Sequence, residues 1–204
     1  MFGSRPKDWG FDSLRAHMKK VLVIKIGTRG VSDALADAYF EGAKSKGNSV
    51  KVINLSNLKF DPILHVGKVK DSLEKDLVES QKLILWAEHI FLSYPNWWAT
   101  MPALLKGFFD KVLTPKFAFE YRKNFPVGLL KGKTASVVCV TAGPGFYNFF
   151  VGIPGLKAIK KNIFGFCGIK TKTRHINSYK DYEKDEVKYN NLKKSFFNYG
   201  TKLN

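Results

Sequence analysis

Short apolar runs rich in β-branched residues alternate with longer helical segments along most of this chain, and this alternation constrains the fold more than any other feature. Five runs are predicted as strands, at residues 21–26, 50–55, 89–94, 134–141 and 169–176. Helices are predicted at residues 34–46, 72–86, from 101–102 onward, at 154–164 and at 183–199. Strands alternating with helices form a parallel sheet with helices on both faces. The pattern predicts a three-layer α/β/α domain with five parallel strands.

Length and composition limit the class of protein. A chain of 204 residues with 45% hydrophobic and 25% charged residues has an ordinary globular composition. Residues 1–17 do not share the periodic pattern and lack the apolar core of a signal peptide, so we predict a leader or tag-like tail followed by one domain over residues 18–204. No apolar run approaches the roughly 18 residues of a membrane span. Cys139 and Cys167 lie in apolar surroundings, which favours reduced thiols and a cytoplasmic location.

The formal net charge of +17 leaves several interpretations open. Scattered lysines are typical of a solvated surface. A positive potential also raises the association rate of phosphorylated cofactors. Charge alone could support nucleic-acid binding, but no nucleic-acid-binding motif occurs, so we predict no nucleic-acid partner. We expect no metal site, because His65, His89 and His175 lack ligand spacing and His89 is expected at the rim of the domain.

The loops after the first, third and fourth strands hold the unusual residues. Ligands of open parallel sheets bind beyond the carboxyl ends of the strands, where the strand order reverses. The first loop offers Thr28, Arg29 and Ser32, with backbone N–H groups at a helix start, as contacts for a phosphate. A turn capped by Ser32 explains the same residues equally well. The third loop holds Trp97 and Trp98, and two adjacent tryptophans suit a planar ring ligand better than a shared core position.

Several segments then resemble one family, the NAD(P)H:quinone reductases of the DT-diaphorase type. The third loop has its aromatic-Pro-x-x-Trp pattern, from Tyr94 to Trp98, followed by Pro-Ala-hydrophobic-Leu-Lys-Gly at residues 102–107. Residues 60–63, 117–121 and 128–133 resemble further family segments in the same order. The resemblance covers about residues 20–179. It implies a flavodoxin-like fold with strand order 2-1-3-4-5.

The resemblance also implies a function and a site. The activity would be a two-electron ping-pong hydride transfer from NAD(P)H, through FAD or alternatively FMN, to a quinone or similar acceptor. Tyr147 and Trp98 would be catalytic, and Phe119 and Tyr121 would line the substrate space. The implied flavin contacts are Thr28, Arg29, Ser32, Asp33, Ala34, Pro95, Asn96, Trp97, Trp98, Ala99, Thr141, Ala142, Gly143 and Tyr147.

Some positions depart from the family pattern. Asp33 and Ala34 stand where the family often has an aromatic residue and asparagine, which affects the phosphate and ribose contacts. Pro154 lies where a histidine partner of the tyrosine is common, so Tyr147 would act alone as a hydrogen-bond donor. The family implies a homodimer whose partner pocket is closed by residues 117–125. An alternative function is that of a flavin-binding ancillary subunit of a potassium-efflux transporter.

Overall fold

The computed structural model describes residues 18–65, 73–146 and 153–203. Residues 1–17, predicted to form a leader or tag-like tail, lie outside this range, and so does Tyr147. Over the described residues, no helix has the length and apolar character needed to cross a membrane.

Strands and helices alternate as predicted, with one additional hairpin. The strands are β1 (Lys20–Lys25), β2 (Ser49–Asn54), β3 (His89–Pro95), β4 (Phe119–Arg122), β5 (Phe125–Gly128), β6 (Thr134–Val140) and β7 (Lys170–Ile176). The helices are α1 (Val31–Ser45), α2 (Lys75–Trp86), α3 (Ala103–Val112), α4 (Pro154–Lys157, continued by a π-helical segment, Ala158–Phe164), α5 (Tyr179–Lys184) and α6 (Glu186–Thr201). A 3₁₀ turn, Leu55–Asn57, follows β2.

Five strands form one parallel sheet in the order β2-β1-β3-β6-β7. Counted within this sheet alone, the order is 2-1-3-4-5, so the predicted sheet and strand order are confirmed. The chain moves outward from β1 to β2 and then returns to the other side of β1 with β3. The strand order therefore reverses between β1 and β3, and parallel sheets of this kind bind ligands beyond the carboxyl ends of the strands at such a point.

Strand β1 is buried on both faces and separates two apolar cores. Leu22 and Ile24 belong to the core that packs beneath α2, α3 and the π-helical segment. Val21 and Val23 belong to the opposite core, with side chains of α1 and α6. Alternate residues of a strand point to opposite faces, so a continuous apolar run fits a strand covered on both sides. The sheet is thus the middle of three layers.

Strands β4 and β5 form an antiparallel hairpin that is absent from the predicted elements. Its base lies near the amino-terminal edge of the sheet, because Leu130 N donates to Cys167 O just before β7 and Thr134 starts β6 beside His89. The final helix also differs from the prediction, since the chain breaks at Asp185, whose side chain accepts from Lys188 N and caps α6.

Helices α1 and α6 cross with backbone in contact at two glycines. A Cβ atom built on Gly42 would lie 1.9 Å from Phe197 O, and one on Gly200 would lie 2.3 Å from Tyr39 O. Any larger side chain at either position would push the helices apart. The close crossing holds α6 over the ring stack of Tyr39 on Phe91, whose centroids are 3.8 Å apart.

We expect Gly42→Ala to lower the free energy of unfolding by about 1–3 kcal/mol through overpacking, although Ala favours helix more than Gly does. For a domain of this size the melting temperature should fall by about 2–4 °C per kcal/mol, measured by circular dichroism. The control is Glu41→Ala, at an exposed neighbouring position on α1, which should melt within about 1 °C of the wild type. Equal melting of the Gly42→Ala variant and the wild type would contradict the close crossing.

His89 is buried, not at the domain rim as expected, with 6% of its surface exposed. Its Nδ1 lies 2.7 Å from Thr134 Oγ1. Burial, with smaller effects from Lys19 and Lys172, lowers the pKa of His89 from 6.5 to about 4. Between these two pH values His89 is protonated in the unfolded chain but neutral in the folded chain. The free energy of unfolding therefore decreases as the pH falls from 6.5 toward 4.

His89 should contribute a loss of up to about 1.4 kcal/mol per pH unit across this window. Urea denaturation at pH 7.5, 6.5, 5.5 and 4.5 measures the free energy of unfolding of the wild type and of His89→Gln. The variant should lose this component of the pH dependence, so the difference between the two proteins should shrink or reverse as the solution becomes acidic. A difference that stays constant over these four pH values would contradict a neutral, buried His89.

Candidate functional site

The loops after β1, β3 and β6 meet at the carboxyl edge of the sheet. Strand β3 lies between β1 and β6, so the residues that follow these three strands are neighbours. Asn96 N donates to Val140 O at 2.7 Å and ties the third loop to the end of β6. The first loop is tied to the turn after β2, because Ser56 N donates to Ile26 O at 3.0 Å. The structure thus brings the predicted loops to one edge of the sheet.

The first loop, residues 27–30, wraps around the carboxylate of Asp33. Gly27 N donates to Asp33 Oδ1 at 3.1 Å, and Arg29 N donates to Asp33 Oδ2 at 2.6 Å. Thr28 Oγ1 donates to the same Oδ2 at 3.3 Å. Gly27 and Arg29 have φ angles of 89° and 59°, which turn their N–H groups inward. Asp33 is 5% exposed, so these donors take the place of most of the water around its carboxylate.

Helix α1 begins one turn earlier than predicted. Gly30, not Ser32, is the N-cap residue, and Ser32 lies in the first turn of the helix. The predicted capping role of Ser32 is therefore wrong. Its side chain is buried, and its Oγ has no hydrogen-bond partner among the described residues. Ala34, the next residue, offers no polar group.

An open cavity of about 520 Å³ lies outside the first loop. Besides the loop, its walls include five residues that the sequence did not predict, namely Lys25, Asp37, Asn54, Ser56 and Asn57. Lys25 Nζ is paired with Asp37 Oδ1 at 2.6 Å. Asp37 lies one helical turn after Asp33, and Asn54 ends the strand beside β1. The same rules of helix period and strand adjacency could have placed them here.

The third loop contains a strained tight turn. Trp97 N donates to Thr100 O, and Thr100 N donates to Trp97 O, both at 3.0 Å. The two residues between them, Trp98 and Ala99, have φ angles of 53° and 60°. This left-handed conformation favours glycine or asparagine and costs other residues about 1–3 kcal/mol each. Such strain concentrates at binding sites.

The tryptophans of this turn face outward. Trp98 is 98% exposed and Trp97 is 51% exposed. Helix α4 supports the turn from behind, because Gly155 N donates to Ala99 O at 3.1 Å. Pro95, partly buried, ends β3 beneath it. The Oδ1 atom of Asn96 is buried and has no hydrogen-bond partner among the described residues.

The fourth loop starts with a residue that is already engaged within the protein. Thr141 is 2% exposed; its N donates to Ile176 O and its O accepts from Tyr179 N. Thr141 Oγ1 lies 2.8 Å from His175 Nε2, and burial lowers the pKa of His175. Ala142 is exposed and Gly143 is partly exposed, so they form the accessible part of this loop.

Phe119 and Tyr121 lie on the hairpin, which is rooted at the opposite edge of the sheet. Phe119 contacts the rings of Tyr121 and Phe166, at centroid distances of 5.9 and 4.9 Å. Tyr121 is 65% exposed. Within the described part of the chain, no hydrogen bond or ring contact joins these two side chains to the three loops.

Other chemistry is disfavoured at this edge. Burial raises the pKa of Cys139 to about 12, which keeps it a thiol and not a nucleophile. The described residues contain no group of three or more His, Cys, Asp or Glu side chains that could hold a metal ion.

The two halves of the edge differ in how they fit a flavin. The third loop fits the ring, because it presents exposed aromatic surface and a buried acceptor, Asn96 Oδ1, that lacks a partner. The first loop has the donors a phosphate needs, but the carboxylate of Asp33 accepts hydrogen bonds from them. Residues that fit the ring are thus available, whereas three donors of the first loop are already bound to Asp33.

Comparisons with known proteins agree with this architecture. A family model described as "Flavodoxin-like fold" matches residues 19–197. The solved structure of Smu.1420 from Streptococcus mutans UA159 superposes with a TM-score of 0.75 at 25% identity, covering 90% of this chain and 99% of its own.

Two curated relatives are named as quinone-reducing enzymes. The chain is 33% identical over 165 residues to an FMN-dependent NADH:quinone oxidoreductase of Haemophilus influenzae (strain 86-028NP), covering 74% of this chain and 81% of the relative. It is 27% identical over 167 residues to ribosyldihydronicotinamide dehydrogenase (quinone) of Homo sapiens, covering 78% and 72%. The predicted resemblance is confirmed: the chain belongs to the flavodoxin-like family that contains the NAD(P)H:quinone oxidoreductases.

Proposed function

We propose that this chain is a flavin-dependent NAD(P)H:quinone oxidoreductase. The observation that carries the proposal is the outward-facing tryptophan turn at the carboxyl edge of the sheet. Trp98 and Ala99 hold a strained conformation there, next to the buried and unpaired Asn96 Oδ1. Strain and an unpaired buried oxygen both cost stability, and binding a planar, hydrogen-bonding ring offsets that cost.

The residues of the edge take distinct roles in this proposal. Trp97, Trp98 and Ala99 flank the flavin ring, and Asn96 Oδ1 accepts from one of its N–H groups. Ala142 and Gly143 border the ring from the fourth loop. A bound flavin supplies the two-electron hydride chemistry, while the protein orients it and excludes water. Tyr147, outside the described residues, would donate a hydrogen bond where negative charge develops.

The names of the relatives support a choice of cofactor, electron donor and electron acceptor. One relative is named an NADH:quinone oxidoreductase that depends on FMN, so FMN is the first cofactor to test. FAD, the cofactor expected first from the resemblance, stays a prediction. We further propose NAD(P)H as donor, a quinone-like acceptor and a ping-pong order in which donor and acceptor use the same space in turn. Cytoplasmic location and the alternative of a transporter subunit also stay predictions.

A homodimer would complete the site. Trp98, Tyr121 and Phe125 are 98%, 65% and 74% exposed, and exposed aromatic surface of this kind is typical of interfaces. The hairpin that carries Phe119 and Tyr121 is rooted at the edge opposite the tryptophan turn. We propose that the hairpin of a second copy covers the tryptophan turn and supplies the substrate-lining rings.

The purified chain should bind FMN and oxidise NADH or NADPH with a soluble quinone. Trp98→Ala should raise the dissociation constant for FMN about tenfold through lost stacking, measured by quenching of flavin fluorescence. Trp98→Phe keeps a ring and should retain most of the affinity. Leu85→Ala, at a 57% exposed apolar position on α2, should bind like the wild type. A chain that takes up neither FMN nor FAD would refute the proposed function.

The proposed dimer should appear in sedimentation velocity at micromolar protein concentration. Phe125→Glu places a charge on the hairpin and should shift the sedimentation coefficient to that of a monomer. Val187→Glu, at a 71% exposed position on α6, tests whether any new surface charge has this effect and should leave the dimer intact. A wild type that sediments as a monomer at all concentrations tested would contradict the dimer.

A further inference from the structure

Asp33 already satisfies the part of the first loop that a flavin phosphate would use. Three donors converge on its carboxylate, the N–H groups of Gly27 and Arg29 and the hydroxyl of Thr28. A loop before a helix binds phosphate through donors of this kind. Here they bind an anion that belongs to the chain.

The position of Asp33 makes this arrangement stable. Asp33 is the third residue of α1 after its N-cap, where the helix dipole favours negative charge. The carboxylate is almost fully buried, and its bond from Arg29 N is 2.6 Å long. A phosphate entering the loop would have to break these bonds and would also meet a like charge. The nearby Lys25 offers little compensation, because it is paired with Asp37.

We propose that Asp33 is a built-in anion that occupies the phosphate position of the first loop, so that the flavin phosphate adds little to binding. This inference rests on the proposed function for its physiological meaning. Asp33 is then the residue that keeps the chain from distinguishing FMN from riboflavin. The ring provides most of the affinity, and riboflavin, which has the ring without the phosphate, binds nearly as well as FMN.

The test measures dissociation constants of riboflavin and FMN for the full chain by fluorescence quenching. The wild type should bind the two flavins within about threefold of each other. Asp33→Asn removes the like charge and replaces one of the two acceptor oxygens by an NH2 group, so the donors of that oxygen are released. Its affinity for FMN should rise about tenfold, as expected for one recovered charge-assisted hydrogen bond. Its affinity for riboflavin should change by less than about twofold. Asp33→Ser, with a shorter side chain, should behave in the same way.

A matched control separates occupancy of the loop from a general effect of charge. Asp37→Asn makes the same change of charge in the same cavity and also releases Lys25, but the backbone donors stay bound to Asp33. Because Asp37 is an exposed partner of this ion pair, the change should raise the affinity for FMN by less than about threefold. An increase as large as that of Asp33→Asn would overturn the proposal, because charge in the cavity, and not the filled loop, would then limit the affinity for FMN.

A second readout does not depend on flavin. Inorganic phosphate should raise the melting temperature of Asp33→Asn but not that of the wild type, with sodium chloride at equal ionic strength as the reference. If no variant binds either flavin yet phosphate stabilises Asp33→Asn, the proposed function fails and the role of Asp33 stands. If the wild type prefers FMN to riboflavin by more than about tenfold, or Asp33→Asn changes nothing, the role of Asp33 fails and the proposed function stands.

Discussion

The parallel pairing of β1 with both β2 and β3 is the constraint on which the rest of the structure depends. Because β1 pairs with a strand on each edge, it lies inside the sheet, and the chain passes from β1 to β2 and then returns to the other side of β1 with β3. That reversal brings the loops after β1 and β3 together at the carboxyl edge. The glycine crossing of α1 and α6 closes one face, and α4 supports the tryptophan turn at the edge itself.

The sheet could be predicted because its strands are buried on both faces and read as continuous apolar runs. The β4–β5 hairpin could not, since its strands have four residues each and its turn places Lys123 and Asn124 at φ angles of 48° and 67°. Glycine is the usual sequence signal of a tight hairpin turn, and this turn has none. The break between α5 and α6 was not predicted either, because an aspartate at position 185 is also compatible with the exposed face of a continuous helix. Only the hydrogen bond from Lys188 N to its side chain identifies Asp185 as an N-cap.

For the candidate site, the sequence predicted that the loops share one edge of the sheet but did not predict their hydrogen bonds. The tryptophan pair, the first loop and the fourth loop were assigned to one edge from strand order alone. The partners of Asp33 could not be foreseen, because they depend on left-handed backbone at Gly27 and Arg29, which sequence does not specify. Within one chain Phe119 and Tyr121 lie on the hairpin at the other edge, so their place in the site stays a prediction that depends on a second copy. Contacts between two copies of a chain are not indicated by the hydrophobic periodicity of its sequence.

The loop around Asp33 has a consequence for the life of the protein before it meets a cofactor. In a loop whose amides wait for an external anion, the empty form carries unsatisfied donors, and newly made protein depends on cofactor supply to finish folding. Here Asp33 accepts hydrogen bonds from Gly27, Thr28 and Arg29, so these donors of the first loop are satisfied without a cofactor. A flavin held mainly by its ring would then come and go like a substrate, and the enzyme would follow the free flavin pool of its surroundings instead of storing a permanent share of it.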